Sequence, residues 1–215
     1  MNTTTIETTV SAIKEATKMA SKKKETALKF LGDAGIIVKP NIIFLDIDGV
    51  LNCDLFYRES YKAAKKKLKK AVKKNEIDSL EYYKSQICSD RVALLNQLCI
   101  DTNAVVVVSS SLRNNKTVEE LQTILNNSGG TFTVIDKTPY TGYERGTEIS
   151  KWISDNITPE TYGCQSYDFY RYAIIDDDSD MLLNQQQHFF QTDSYSGLTY
   201  NTCYRIKRFF LHETF

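Results

Sequence analysis

The chain has 215 residues and a formal net charge of zero, with 27 basic and 27 acidic side chains. Its apolar content of 41% and charged content of 25% are ordinary for a globular protein, and its length suits one domain with an appended segment. Because the charges balance, any electrostatic attraction to nucleic acid must come from a local basic patch.

The five cysteines form neither a CxxC pair nor the cysteine–histidine spacing of a metal site. An odd number of such cysteines predicts free thiols in a reducing compartment. No apolar run is long enough to cross a membrane, and the first residues lack the apolar region of a signal peptide. We therefore expect a cytoplasmic protein that does not engage membranes.

Residues 1–38 carry apolar side chains at helical spacing, from Ile6 to Leu31, with lysine and glutamate between them. This pattern predicts one or two amphipathic helices ahead of a core at residues 39–215. The basic run at residues 22–24 is more typical of a solvated helix face than of a nucleic-acid contact. Packing on the core and self-association both stay open for this segment, and no oligomeric state is predicted.

The first strand is predicted at residues 42–45, where four large apolar residues run directly into Asp46. Asp48 follows two residues later, and Gly49 then breaks the pattern. Ligands of open α/β sheets bind at the carboxyl ends of the strands, where these two acids stand. Two carboxylates this close need a cation between them or a proton on one of them.

A helical, lysine-rich insert is predicted at residues 54–90, directly after the acidic strand end. One helix covers 59–74, and Asp78 or Ser79 can cap a second helix. The first helix carries eight lysines and few acids: Lys62, Lys65, Lys66, Lys67, Lys69, Lys70, Lys73 and Lys74. The insert is either plain solvated surface or a basic platform over the site for a nucleotide or nucleic acid.

A second buried strand is predicted at residues 104–108, after a helix at 91–99. It ends in Ser109, Ser110 and Ser111, and Arg113 follows. Hydroxyl groups, backbone N–H groups and a cation are what a phosphate group needs, although a serine-capped turn would have the same sequence.

The later elements alternate in the same way. We predict a helix at 118–125, a strand at 131–135, a helix at 147–157 with Arg145 just ahead of it, and a strand at 172–175. Asp176, Asp177 and Asp178 follow that strand, and a short strand at 189–193 and a helix within 202–215 complete the chain. Alternating strands and helices predict an α/β fold with a doubly wound parallel sheet.

These strand ends together predict phosphoryl chemistry. Carboxylates from two strands can hold Mg²⁺, which prefers oxygen ligands. Asp46 can then attack phosphorus as a nucleophile, while Asp48 protonates the leaving oxygen and later deprotonates the hydrolytic water. A serine hydroxyl and Arg145 would stabilise the phosphoryl oxygens.

Residues 46–52, Asp-Ile-Asp-Gly-Val-Leu-Asn, resemble the first motif of the haloacid dehalogenase (HAD) superfamily of phosphohydrolases. Residues 105–111 resemble the second motif, and Ile174-Ile175-Asp176-Asp177 resembles the fourth. The third motif is normally a lysine near a helix start. Arg145 is our candidate for it, which departs from the family pattern, with Lys137 and Lys151 as alternatives.

Four further stretches narrow this resemblance, which covers roughly residues 40–200. They are Ser-Ser-Ser-Leu-Arg, Arg-Gly-Thr-Glu-Ile-Ser-Lys-Trp-Ile, Asp-Asp-Asp-Ser-Asp-Met, and residues 191–199. They are similar to HAD domains found beside RNA-repair and nucleotide-processing modules, including polynucleotide phosphatase domains. The N-terminal helices and the lysine-rich insert lie outside the resemblance.

The resemblance implies a role for each matching residue. Asp46 would be nucleophile and metal ligand, and Asp48 would be the acid/base and bind metal through its backbone carbonyl. Asp177 would bind the metal. Asp176 would lie outside the ligands of the metal and support Asp177, and Asp178 is an alternative to Asp177 as the ligand. The phosphate would contact Ser110 in preference to Ser109, and we also expect Arg113 and Gly49 at the substrate.

The expected function is therefore that of a Mg²⁺-dependent phosphatase acting on a nucleotide or a nucleic-acid end. Superfamily members that cleave carbon–halogen or phosphonate bonds lack an acid at the position of Asp48, which favours phosphate-ester chemistry. Two alternatives stay open: a small-metabolite phosphatase without a nucleic-acid role, and a non-catalytic binding module on the same fold.

Overall fold

The computed structural model describes residues 41–58, 62–74, 86–157 and 171–211. The helices predicted at residues 1–38 and the second helix of the insert lie outside the described residues. The same holds for the last four residues of the predicted C-terminal helix.

The described part of the chain forms a five-stranded, all-parallel sheet, which confirms the predicted α/β fold. Its strands are β1 (Asn41–Leu45), β2 (Ala104–Val108), β3 (Val134–Lys137), β4 (Tyr172–Asp176) and β5 (Phe189–Gln191). They are arranged in the order β3-β2-β1-β4-β5. Leu45 is in register with both Val108 and Ile175, so three strands end at the same level. The strand order reverses beside β1, which is where such sheets bind their ligands.

Helices connect the strands. They are α1 (Lys62–Lys73), α2 (Ser89–Thr102), α3 (Val118–Asn127), α4 (Arg145–Asn156) and α5 (Tyr200–Phe210). One helical turn, Asp54–Phe56, and two 3₁₀ helices, Ser111–Arg113 and Leu183–His188, complete the described elements. None of the helices in this part of the chain has the length and apolar character needed to span a membrane.

The core has two layers because successive side chains of a strand point to opposite faces of the sheet. Ile43 and Leu45 pack with α2, α3 and α5 on one face. Ile42 and Phe44 pack on the other face with Trp152 of α4. Burial on both faces explains why β1, β2 and β4 read as continuous apolar runs.

Several predicted boundaries differ from the structure, and two of these differences are informative. The third strand begins at Val134 instead of Thr131, because side chains of neighbouring helices bind the preceding backbone: Thr131 N donates to Asn96 Oδ1 (2.7 Å), and Gln122 Nε2 donates to the Phe132 carbonyl (3.1 Å). The helix predicted to start at Thr147 begins at Arg145, which places that arginine inside its first turn.

Candidate active site

Asp46 lies at the carboxyl end of β1, between the ends of β2 and β4. Its backbone N–H donates to the Ile175 carbonyl at 3.0 Å, so the backbone hydrogen bonding between β1 and β4 continues as far as this residue. The residue is buried, and its side chain is hydrogen-bonded to the Ser110 side chain from the end of β2. The sheet therefore holds this carboxyl group in a fixed place below the surface.

Asp46, Asp176 and Asp177 form an acidic cluster at this edge of the sheet. Each can offer one carboxylate oxygen such that the three oxygens lie within 4.8 Å of one another. Asp176 Oδ1 accepts the backbone N–H of Asp178 (3.0 Å), while Asp176 Oδ2 is buried without a hydrogen-bond partner. Three oxygens at such separations, one of them lacking a hydrogen bond, suit a small divalent cation.

The electrostatics of the cluster also favour a cation. Burial raises the pKa of Asp46 from 3.8 to about 7, although Arg145 and the bond with Ser110 act in the opposite direction. Burial, together with the neighbouring Asp46, raises the pKa of Asp176 to about 8. The pKa of Asp177 is raised as well, mainly by burial. Without a metal ion, the cluster therefore tends to keep protons at neutral pH.

Gly49 makes room for the cluster. A Cβ atom on this residue would lie 2.1 Å from Asp177 Cγ and Oδ2, and its φ of +72° is unfavourable for residues with side chains. Thr192 Oγ1 donates to the Gly49 carbonyl at 3.0 Å and fixes the turn. We expected Gly49 at the substrate; the structure places it against the carboxylate of Asp177.

Arg145 is the basic residue that the fold brings to the cluster. Its Nη2 lies 3.5 Å from Asp46 Oδ1, and its Nε lies 3.4 Å from Asp176 Oδ2. The two alternatives are engaged elsewhere: Lys137 Nζ donates to the Arg113 carbonyl at 3.3 Å, and Lys151 pairs with Asp155 at 2.9 Å.

Gln185 holds the start of α4 against the acidic loop that follows β4. This buried side chain donates from Nε2 to the Gly146 carbonyl (2.8 Å), and its Oε1 accepts the Leu182 N–H (3.0 Å). Asp180 adds a second link, because its carboxylate accepts the Arg145 N–H at 2.9 Å. Sequence reasoning missed Gln185, since it stands in a run of three glutamines and nothing in that run marks the buried one.

The three serines after β2 lie in three different environments. Ser110 is bonded to Asp46, whereas Ser109 lies beside Thr138, whose Oγ1 is 3.5 Å from the Ser109 hydroxyl. Ser111 is exposed and begins the short 3₁₀ helix, whose first turn is capped by Ser110 Oγ accepting the Leu112 N–H. Of the three serine side chains, the structure puts Ser110 next to the predicted nucleophile.

Arg113 lies in a buried network behind the serine loop. Its Nη1 donates to the Ser110 carbonyl (2.7 Å), its Nε donates to the Thr138 carbonyl (2.9 Å), and its Nη2 pairs with the buried Glu148. Glu148 Oε1 also accepts the N–H of Thr141 at 2.8 Å. We expected Arg113 at the substrate; in the structure its guanidinium group fixes the position of the serine loop.

The carboxylate of Asp48 is exposed and stands outside the acidic cluster. Its Oδ1 accepts a hydrogen bond from Asn52 Nδ2 at 3.0 Å. It lines a cavity of about 240 Å³, together with Ile47, Asn52, Gln86, Ile87, Ser111 and Leu112. The two aspartates of the first motif therefore stand in different environments: Asp46 is buried with the cluster, and Asp48 faces a cavity.

A parallel α/β sheet with an acidic cluster and an arginine at its carboxyl edge defines a Rossmann-like protein of the HAD type. The chain matches the family described as the HAD domain in Swiss Army Knife RNA repair proteins over residues 42–203, and it belongs to that family. No curated protein and no solved structure matches the chain. The family match confirms the resemblance seen in the sequence, and it supports a HAD phosphatase in general terms.

Proposed function

We propose that this chain is a Mg²⁺-dependent phosphatase that removes a phosphate group from a nucleotide or a nucleic-acid end through an aspartyl-phosphate. The observation that carries the proposal is the cluster of Asp46, Asp176 and Asp177 with Arg145 beside it. The RNA-repair family supports a phosphorylated nucleic acid as the substrate class.

The metal would be held by carboxylate oxygens of Asp46 and Asp177 and by the backbone carbonyl of Asp48. Asp176 Oδ2 has no hydrogen bond and only a 3.4 Å ion pair with Arg145, so this residue would be a further ligand or a support for the other two. Bound Mg²⁺ would supply positive charge that keeps Asp46 ionised and offsets the charge of the phosphoryl oxygens. The raised pKa values of Asp46 and Asp176 support this assignment, because they indicate carboxylates that lack sufficient positive charge nearby.

Asp46 is the nucleophile in this proposal. One of its carboxylate oxygens forms a bond to phosphorus while the bond from phosphorus to the leaving oxygen breaks. Asp48 donates its proton to that leaving oxygen. In the second half, a water oxygen attacks phosphorus, Asp48 takes the water proton, and the bond to Asp46 breaks. Inorganic phosphate leaves, and both aspartates return to their starting states.

Ser110 and Arg145 would hold the phosphoryl oxygens. The Ser110 hydroxyl already contacts the Asp46 side chain, and the Arg145 guanidinium stands 3.5 Å from Asp46 Oδ1. Donors fixed in advance around the reacting atom stabilise charge that develops in the transition state. The leaving group would occupy the cavity beside Asp48, where a proton donor is needed.

The basic helix α1 is the proposed contact for further phosphates of a nucleic acid. Its described side chains include five exposed lysines: Lys66, Lys67, Lys69, Lys70 and Lys73. If they bind a phosphate backbone, affinity for oligonucleotides should fall steeply as the salt concentration rises. A plot of the logarithm of the association constant against the logarithm of the salt concentration should have a slope of about −0.7 for each phosphate neutralised. An affinity independent of salt would leave these lysines as plain surface.

A substrate panel tests the proposal. The purified chain, with Mg²⁺, is assayed on an aryl phosphate, sugar phosphates, mononucleotides, and RNA and DNA carrying 3′- or 5′-phosphates. We expect the highest kcat/KM on a nucleic-acid end or nucleotide. Higher values on sugar phosphates would favour the small-metabolite alternative, and binding without turnover of any substrate would favour a non-catalytic module.

Asp46→Asn tests the mechanism itself. We expect it to abolish turnover, with Asp101→Asn as a matched control, because Asp101 pairs with Lys207 at the surface. Normal turnover by Asp46→Asn would overturn the assignment of the nucleophile.

A further inference from the structure

A second cavity, of about 660 Å³, opens beside the carboxyl end of β3. Residues from three segments line it: Arg113, Asn114, Asn115, Asp136, Lys137, Thr138, Pro139, Tyr140, Trp152, Asp155 and Asn156. We call this cavity the β3 groove. It shares no residue with the cavity beside Asp48, and the proposed chemistry does not use it.

The charged groups of the β3 groove already have partners within the protein. Asp136 accepts the indole N–H of Trp152 at 2.7 Å, and Asp155 pairs with Lys151 at 2.9 Å. Lys137 Nζ donates to backbone carbonyls, and Arg113 pairs with Glu148. Because the lining carries two basic and two acidic residues and each of them already has a partner, the groove is better suited to a neutral, polar part of a ligand than to a second phosphate.

Exposed aromatic and amide groups provide the contacts that a nucleobase needs. Tyr140 lines the groove and is 73% exposed, and Tyr143 on the same loop is also 73% exposed. Exposed aromatic rings stack on bases of any sequence. The exposed side chains of Asn114 and Asn115 offer both donors and acceptors at the groove wall.

The β3 groove adjoins the proposed phosphate site. Arg113, in its wall, donates to the Ser110 carbonyl at 2.7 Å, and Ser110 in turn bonds Asp46. The loop that carries Tyr140 and Tyr143 ends at Arg145, which lies beside Asp46. Two residues of extended chain span at most about 7 Å, so Tyr143 is anchored close to the phosphate-facing arginine.

We propose that the β3 groove binds the nucleobase next to the terminal phosphate of a single-stranded RNA, stacked on Tyr140. The inference rests on the proposed function, because that function brings a nucleotide end to Asp46. It adds a site that recognises the base and so discriminates nucleotide ends from other phosphate esters.

Binding to the inactive Asp46→Asn protein tests the groove apart from catalysis. Fluorescence anisotropy compares two labelled, 3′-phosphorylated RNA oligonucleotides: one intact, and one lacking the base of the terminal nucleotide. We expect Tyr140→Ala, made in the Asp46→Asn background, to weaken binding of the intact oligonucleotide about tenfold, which is typical for loss of one base–aromatic stack. The same change should leave the abasic oligonucleotide unaffected, and Tyr140→Phe should bind both as Tyr140 does.

Tyr200→Ala is the matched control, since Tyr200 is 74% exposed on α5 and lies outside the groove. It should bind both oligonucleotides normally. Equal weakening of both oligonucleotides by Tyr140→Ala, no weakening, or no measurable binding at all would each overturn the groove proposal. Hydrolysis of an aryl phosphate and of a mononucleotide by the unmutated chain is measured separately, so that failure of the proposed phosphatase activity is seen independently of the binding result.

Discussion

Replacement of Asp176 by asparagine should stabilise the metal-free protein at alkaline pH. The wild-type carboxyl has a pKa of about 8 in the folded protein, against 3.8 for the ordinary value. A raised pKa in the folded state means that stability is present at low pH and is lost as pH rises through the folded pKa. The loss should therefore begin near pH 4, the ordinary pKa, and be complete a little above pH 8, the folded pKa.

The magnitude follows from the size of this change. A rise from 3.8 to about 8 corresponds to roughly 6 kcal/mol at about 1.4 kcal/mol per pH unit. Asparagine removes this cost, but its amide group would face Arg145 Nε, which lies 3.4 Å from Asp176 Oδ2, and this contact offsets part of the gain. We expect a net gain of about 2 kcal/mol at pH 9, or about 4–8 °C in Tm for a chain of this size.

The assay is thermal unfolding in a chelator at pH 4 and at pH 9. Asp176→Asn should match the wild type at pH 4 and exceed it at pH 9. Asp101→Asn, at the surface, is the control substitution. Added Mg²⁺ should raise the Tm of the wild type at pH 9 more than that of the variant. A variant less stable than the wild type by the same amount at both pH values would refute the reasoning, because it would show that the ionised carboxylate is stabilised without a metal.

Three further substitutions test the parts around the cluster. Gly49→Ala should abolish the Mg²⁺ binding measured by calorimetry, because the added Cβ would collide with Asp177. Gly129→Ala is the control, because Gly129 also has a positive φ but has open space around it, and this variant should retain Mg²⁺ binding. Gln185→Ala should displace Arg145 and so lower kcat about tenfold with little change in KM. Replacement of the exposed Gln187 by alanine should leave kcat unchanged. A fall in Mg²⁺ affinity alone in Gln185→Ala would contradict the role of Gln185 in positioning Arg145. Arg145→Lys should keep part of the activity, since the family pattern normally has a lysine at this position. Arg145→Ala should lower kcat about 100-fold. Equal rates for the two variants would argue against a contact between the charge of this residue and the phosphate.

The carboxyl ends of β1, β2 and β4 could be predicted from the sequence to within one residue because these strands are buried on both faces. The run at residues 104–108 is apolar throughout and matches β2 from its first residue to its last. Polar residues begin where each apolar run ends, so Asp46, Ser109 and Asp176 mark the carboxyl edge without further information. Where side chains of other elements bind the backbone, as before β3, the same reasoning placed the boundary wrongly.

The supporting contacts of the site could not be predicted, because they join residues far apart in the chain. The bond between Thr192 and the Gly49 carbonyl spans 143 residues, and the bond from Gln185 to Gly146 spans 39. Arg113 looked suited to phosphate because it follows serines, yet its neighbour Glu148 comes from a helix that no local pattern connects to it. Local sequence identifies chemical groups, whereas their partners depend on the tertiary fold.

The acidic cluster explains why Arg145 lies in the first turn of α4. A cation there opposes the helix dipole at a cost of about 0.3–1 kcal/mol. Asp46 and Asp176, whose carboxylate oxygens lie 3.4–3.5 Å from the guanidinium group, offset that cost when they are ionised, because opposite charges attract strongly in a buried site. Asp180 also ties the helix start to the loop that carries Asp176 and Asp177. The arginine and the acidic cluster are thus held by one set of contacts, so a change that shifts the proposed metal site should also shift the cation proposed to hold the phosphate.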